Sequence, residues 1–385
     1  MTAHDRAQHA PDDTAGVASI VADAAARRTR LRVVGGGTWL DAGGPVDADA
    51  ALALGALRGV VEYVPGDLTL TARAATPLAE IARCTAAEGQ LLALDPFGSD
   101  AGTLGATVAT ASAGPLAHAF GTPRDNVIGV EFVDGTGVVV RAGGRVVKNV
   151  AGFDLARLVT GAWGTLGVLT EISVRLRPAP EVDATVALAL PSGPGALADL
   201  LAALRAAPLT TWALELVNPP LAERLGLGAR AQLLARLAGN APMVAAQRAT
   251  LATLGDVVDA PRDVWQALRT CEPDVGIVAR VSTRPSRLAA LCTELFSSAA
   301  AAVGLLAHAS VARGIVRFAL PGESGFGLPR FPNDPRPTIV VERLPRALDP
   351  TLADTLLTTR EPDRLTGGVR RAFDPHGILN PGVLR

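Results

Sequence analysis

Two stretches of this 385-residue chain place glycines where main chain could meet an anion. The first is "VVGGGTWLD", in which Gly35, Gly36 and Gly37 follow a short apolar run and lead into Thr38. Glycine lets backbone approach a ligand closely and reach positive φ, so successive amides can converge on a phosphate-like group. Such a turn suits a pyrophosphate cradle; it serves equally as an ordinary tight turn. The second stretch is "GRVVKNVAGFDLARLVTGAWGTLGVLTEISVRLRP", where Lys148, the sole lysine, precedes Gly161, Gly164 and Gly167. That segment reads as a wrap around an anionic cofactor or as coincidence in a chain whose other basic residues are all arginine. Familiar nucleotide signatures are missing. Lys148 lacks the neighbours of a G-x-x-x-x-G-K-[ST] loop, and no G-x-G-x-x-G joins a strand to a helix, which disfavours a Rossmann NAD site.

Side chains that could do acid–base or metal chemistry are sparse. There are five histidines, of which His4 and His9 lie in the polar start "MTAHDRAQHAPDDTAG". No Ser-His-Asp or paired-carboxylate arrangement stands out, so no catalytic residue is assigned. Cys84, Cys271 and Cys292 are scattered without a C-x-x-C pair, so neither an iron–sulfur cluster nor a structural zinc is expected on this chain, and no metal site is assigned.

The elements that must position the glycine turns are short. Residues 14–29 read as a helix from Val17, Ile20, Val21 and Ala24. Leu31 to Val34 reads as a strand, and "VVEYVPGDLTLTARAA" as a strand pair turning at Pro65-Gly66. "TPLAEIARCTAAEGQLLAL" reads as a helix capped by Thr76, opened by Pro77 and stopped at Gly89. The strands around Gly129 to Val133 and Val138 to Arg141 form a hairpin through "DGTG", and "GVLTEISVRLRP" adds a strand ending at Pro178. The regular strand–helix alternation of a doubly wound sheet is missing, which points to an α+β fold. Beyond Pro180, "PSGPGALADLLAALRAAP" and "APMVAAQRATLATLGD" read as helices. "TTWALELVNP", "DVGIVARVS", "GIVRFALP" and Thr338 to Glu342 read as strands, so a smaller sheet covered by helices on one face is expected. The tail "LTGGVRRAFDPHGILNPGVLR" ends in turn chemistry.

Bulk properties bound the function. The length exceeds one comfortable core, so two domains are expected. A composition 49% hydrophobic and 19% charged is globular,. A formal net charge of −1 argues against nucleic-acid binding,. The start resembles no signal peptide and no apolar stretch is long enough to span a bilayer, so a soluble protein of a reducing compartment is expected.

Taken together, "LRVVGGGTWLD", "VVEYVPGDLTLTARAATPLAEI", "GTLGATVATASAGPLAHAFGTPRDNVIG", "VVKNVAGFDLARLVTGAWGTLGVLTE" and "AFDPHGILNPG" occur in an order that resembles one family. It is the FAD-binding family of the vanillyl-alcohol oxidase and p-cresol methylhydroxylase type, and within it the FAD-binding E subunits of bacterial glycolate oxidases. The resemblance covers residues 17 to 180 and 366 to 385. It implies a two-part FAD-binding fold with the smaller helix-covered sheet domain inserted before the C-terminal tail: residues 1–180 for FAD, 181–345 as a substrate or cap-like domain, and 346–385 returning to the FAD site.

The resemblance also implies roles. The FAD pyrophosphate and ribityl chain would be received by Gly35, Gly36, Gly37, Thr38, Thr103, Gly105, Ala106, Ser112 and Gly114. Gly121, Arg124 and Asp125 of "GTPRD" would help close the site. Backbone around Gly164, Thr165, Gly167 and Val168 would lie against the cofactor, with Asn380 beside the isoalloxazine. Ala75 stands where relatives usually show glycine, and Phe153 where tyrosine is common. Thr38 and Trp39 replace the histidine of covalently flavinylated relatives, so non-covalent FAD is expected.

Related D-2-hydroxy-acid dehydrogenases carry H-x-G-[DN]-G-x-x-H on the substrate domain. Here "HASVARGIVRF" keeps His308 but puts Arg317 where the second histidine would be, which argues against that metal site. His308 then reads as a packed or capping residue, with Arg313 and Arg317 able to meet an anion; His118 follows the second glycine stretch, with approach to the flavin one alternative and not the leading one, and His376 reads as solvated. The implied function is the FAD-binding subunit of a glycolate (2-hydroxy-acid) oxidase complex. A small hydroxy acid, a homologous flavoprotein subunit and an iron–sulfur subunit would be its partners. Its location would be cytoplasmic, reaching the inner face of the membrane only through partners. A stand-alone FAD-dependent dehydrogenase or oxidase and a flavin-fold scaffold without catalysis are the alternatives.

Overall fold

The computed structural model describes residues 7–144, 153–193, 195–297, 303–322, 338–344 and 364–384. Lys148 and the residues around it lie outside these. Two compact units emerge, one drawn from Met1–Ala113, Gly121–Ala179 and Arg360–Arg385, the other from Gly114–Phe120 and Pro180–Thr359.

In the first unit a helix Thr14–Arg27 starts where the Asp13 carboxylate accepts from the Gly16 N–H at 2.7 Å,. Val17, Val21 and Ala24, three and four residues apart, share a core with Leu31, Leu52, Ile378 and Leu379,. The strand Leu31–Val34 pairs in parallel with Ala50–Ala53, which pairs in parallel with Ala7–His9. The other side of Leu31 is met by the C-terminal tail: a parallel bridge joins Leu31 to Leu379, and the Asn380 N–H donates to the Leu31 carbonyl at 2.9 Å. The run that ends in the triple glycine is therefore fixed from both edges.

A five-stranded antiparallel sheet follows in the order Val60–Val64, Thr69–Arg73, Val168–Arg175, Val127–Val133, Val139–Gly143. The expected hairpin at "DGTG" is closed by Asp134, whose carboxylate accepts from the Thr136 and Val138 N–H groups. The helix read over "TPLAEIARCTAAEGQLLAL" spans only Leu78–Ala86, after which Gln90–Leu91 is a short strand. Thr76 does not cap it. Its hydroxyl instead donates to the Arg73 carbonyl at 2.7 Å and accepts from the Gly59 N–H, while the Leu78 and Ala79 N–H groups a cap would serve donate to the Gly102 and Asp100 carbonyls,. The tail opens with a helix, Arg364–Phe373, ahead of the turns expected at its end. Asp374 follows, its carboxylate taking the Ile378 and Leu379 N–H groups.

The second unit holds an eight-stranded antiparallel sheet in the order Val257–Asp259, Val182–Ala189, Gln232–Gly239, Ala213–Val217, Leu306–Ser310, Ile315–Pro321, Gly276–Ser282, Thr338–Arg343. With eight strands it is the largest sheet among the described residues, whereas four strands are legible in the sequence. Val182–Ala189 and Gln232–Gly239 escape the eye because their alanine- and leucine-rich runs lack a period-two pattern. Helices Ala196–Ala206, Ala241–Ala252 and Leu288–Leu295 bury Leu201, Leu251 and Leu291 in one core with Leu216, Leu233 and Phe318 of the sheet. The register sets the other face: Glu215 lies opposite Ser310, His308 opposite Arg317, and Arg317 opposite Arg280. That face is charged and yet buried.

Candidate functional site

The triple-glycine turn opens onto a crevice of the first unit that encloses about 950 Å³, partly open to solvent. Four pieces of chain converge on it: Arg32 to Leu40, the segment from Thr103 to Thr110, the turn from Val159 to Leu169, and Asn380 with Val383 of the tail. They come close. A Cβ on Gly35 would lie 3.1 Å from the Thr103 hydroxyl, and one on Gly36 3.1 Å from the Thr103 methyl and 3.3 Å from the Ala101 carbonyl. Thr103 caps the helix Leu104–Thr110 by accepting from the Ala106 N–H.

Asn380 ties the pieces together. It sits at φ 46°, its side-chain carbonyl accepts from the Val33 N–H at 2.8 Å, and its amide donates to the Trp163 carbonyl at 2.9 Å. Gly164, at φ +68°, leaves room for that amide, since a Cβ there would stand 2.7 Å from the Asn380 amide nitrogen. The residue implied to lie beside the cofactor thus spends both side-chain groups in holding the crevice together.

The crevice has chemistry to spare. The Thr38 hydroxyl is buried and has no hydrogen-bond partner among the described residues, an unmet polar group that a ligand would satisfy. Among the described residues lining the crevice Arg32 is the one that is charged, and its guanidinium donates to the Leu40 carbonyl. Trp39, Leu40, Ala109, Trp163, Leu166 and Val383 supply apolar surface. A hydroxyl and a cation beside bare backbone suit a diphosphate, and apolar walls suit planar rings. FAD combines both, so the residues present fit it.

Of the implied cofactor residues, Gly35, Gly36, Gly37, Thr38, Thr103, Gly105, Ala106, Gly164, Gly167 and Asn380 line this crevice. The rest stand apart from its lining. The Ser112 hydroxyl accepts from the Phe97 N–H, and Gly114 falls in the second unit. Asp125 accepts from the Thr122 N–H in a capping box beside Gly121, and Arg124 donates to the Thr160 carbonyl. Thr165 donates to the Ala162 carbonyl, while Val168 packs in the core. Sequence reasoning did not single out Arg32, Trp163 or Val383. Trp163 sits between Gly161 and Gly164, which was the available signal; Arg32 and Val383 carried none.

In the second unit the polar side chains largely satisfy one another. Arg317 is 5% exposed and donates to Glu272 at 2.5 Å and to Glu342, which also accepts from Arg280 at 3.1 Å. Burial alone would raise the Glu342 carboxyl; Arg317 and Arg280 outweigh it and hold the group below the usual carboxylate range. This overturns the reading of Arg317 as an anion contact, because its charge is already met by two carboxylates. His308 is buried with its Nδ1 2.9 Å from Glu215, a packed residue as expected. His118 shares a hydrogen bond of 3.1 Å with Thr211 through Nε2, while its buried Nδ1 has no partner among the described residues. Burial lowers the His118 imidazole below the usual histidine value; Glu215 opposes the shift and Arg313 adds to it. Among the described residues no group of three or more His, Cys, Asp or Glu is placed to hold a metal ion, and no helix is long and apolar enough to cross a membrane.

Comparison with known proteins agrees with the crevice. Residues 7–143 match the family model described as "FAD binding domain". Glycolate oxidase subunit GlcE of Escherichia coli K12 is 45% identical over 128 residues, 33% of this chain and 36% of that protein. Glycolate oxidase subunit GlcD of Bacillus subtilis is 32% identical over 212 residues, 55% of this chain and 45% of that one. D-2-hydroxyglutarate dehydrogenase of Xanthomonas citri pv. viticola is 29% identical over 197 residues, 51% and 42% of the two chains. Each match thus covers less than half of the relative. Among solved structures, an alkyldihydroxyacetonephosphate synthase superposes with a TM-score of 0.68 over 97% of this chain and 75% of its own, at 15% identity. That likeness is one of fold, and the fold is the α+β FAD-binding fold of the vanillyl-alcohol oxidase type.

Proposed function

We propose, from the premise that residues 7–143 belong to the FAD binding domain family and that FAD is its cofactor, that this chain is the FAD-binding subunit of a glycolate (2-hydroxy-acid) oxidase complex. Residues 1–180, with 346–385 returning, hold FAD, and 181–345 form the substrate-facing domain. The observation that carries the reading is the crevice, where two glycine-bearing turns, the helix start at Gly105 and a threonine hydroxyl without a partner among the described residues converge.

When bound, FAD supplies two-electron oxidising power for a hydroxy acid. The chain's own part is to bind and orient. Gly35 to Gly37 would bring unencumbered backbone to the diphosphate, Thr38 would offer its hydroxyl, and Arg32 would add a compensating charge,. Asn380 holds the walls at fixed distance. Among the described residues no His, Cys or Tyr lines the crevice, which is in keeping with non-covalent attachment.

Oxidising a hydroxy acid also requires a cation for the carboxylate and a base for the hydroxyl proton. The buried Arg317 is saturated by Glu272 and Glu342. This favours a division of labour in which a homologous flavoprotein subunit carries the substrate chemistry and an iron–sulfur subunit carries electrons onward, on the cytoplasmic side of the membrane. The likeness to both GlcE and GlcD supports it. The test is anaerobic mixing of the FAD-loaded chain with glycolate or D-lactate, alone and after co-purification with its partners. Flavin bleaching only in the assembly is the expected result. Bleaching by the chain alone would make it a stand-alone enzyme, and a chain that takes up no FAD would be a scaffold.

A further inference from the structure

We infer that Trp163 and Trp39 form an aromatic platform on which one planar ring of the bound dinucleotide stacks, an inference that rests on the FAD reading above. Trp163 adopts φ +54°, a conformation that bulky side chains rarely take and that glycine takes freely,. Gly161 and Gly164, its near neighbours, are glycines at positive φ; Trp163 is not. Its backbone is pinned from two sides: the N–H donates to the Ala109 carbonyl at 2.8 Å and the carbonyl accepts from the Asn380 amide at 2.9 Å. Strain of this kind persists where surrounding structure over-determines it, and it concentrates at ligand clamps.

The conformation has a product. The Trp163 indole meets the Trp39 indole edge to face, with centroids 6.1 Å apart and planes at 81°, and both residues line the crevice. Trp39 directly follows Thr38, whose hydroxyl awaits a partner, so the aromatic surface begins one residue from the diphosphate cradle. A ring attached to either end of a diphosphate held there is within reach of it. Aromatic faces hold flat heterocycles by stacking, an interaction tolerant of ring identity. The rival account is structural, because the Trp163 ring edge also lies near Gly43.

The deciding experiment titrates FAD into protein stripped of cofactor, following indole quenching and flavin absorbance. Trp163→Gly keeps the left-handed backbone and removes the ring, and Trp39→Leu removes its neighbour. The expected result is FAD affinity weakened about tenfold or more in each, by the usual worth of one stacked ring. The quenching amplitude falls, the melting temperature of the stripped Trp163→Gly protein stays within a few degrees of the parent, and Trp163→Phe recovers most of the affinity. Titrating FMN and ADP separately assigns the stacked ring, since the loss falls on one of them; a loss shared equally by both indicates a disturbed crevice and overturns the inference. Unchanged affinity in either variant overturns it too. If Trp163→Gly does not fold, Trp39→Leu decides alone. A parent that takes up no FAD defeats the function reading itself and this inference with it.

Discussion

The crevice of the first unit and the charged face of the eight-stranded sheet both set polar groups among apolar surroundings, but they balance them differently. In the crevice the polar work falls to backbone and one hydroxyl, and the Thr38 oxygen is left unmet. On the sheet, Arg317, Glu272, Glu342 and Arg280 answer one another. A place built to receive something keeps its donors uncommitted and its side chains small. A place built to hold itself together spends its charges on neighbours, because a buried charge without a partner costs several kcal/mol. The same contrast separates a binding site from a structural network at equal burial.

The largest effect that would break this contrast is expected at Gly36. Gly36→Val puts a branched side chain against Thr103 and into the space of the cradle, so purified protein should lose its yellow flavin absorbance while melting near the temperature of the parent stripped of cofactor. Full flavin occupancy in that variant would displace the cradle from this turn. Arg317→Met should do the reverse. It leaves Glu342 with Arg280 and Glu272 with only Arg343, at 3.9 Å, costing about 3 kcal/mol of stability in denaturant unfolding, while FAD affinity per folded molecule is unchanged; a loss of affinity instead would tie the network to the cofactor.

Asn380→Ala lies between the two. It leaves the Val33 N–H and the Trp163 carbonyl without partners, costing roughly 1–3 kcal/mol, and it should weaken FAD binding as well, measured by melting and by titration of the same sample. The smallest effect concerns pH. His118 has its folded value depressed by burial, so the unfolded chain takes up the proton more readily. Its contribution to stability is whole above about pH 6.5, the unperturbed value, and declines as pH falls toward the folded value. Melting curves of His118→Gln should lack that part of the decline.

How much of this was visible beforehand differs by region. The glycine turns and the helix Thr14–Arg27 were legible because their constraints are local: a run of glycines, or apolar residues at helical spacing. Thr76 misled as a cap because capping depends on where the chain has come from, and Gly59 and Arg73 claim its hydroxyl. Strands Val182–Ala189 and Gln232–Gly239 were hidden by buried alanine and leucine, which look alike in helix and sheet.

By itself, the sequence determined where main chain is bare and where charge is scarce, since glycine content and residue type need no neighbours to act. Only the tertiary structure decided which bare segments meet. Asn380 reaches Val33 across 347 residues and Trp163 across 217, contacts that no local pattern encodes. It likewise decided that Arg317 is taken and Thr38 is not, because the partner of a buried polar group is a property of packing and not of the residue.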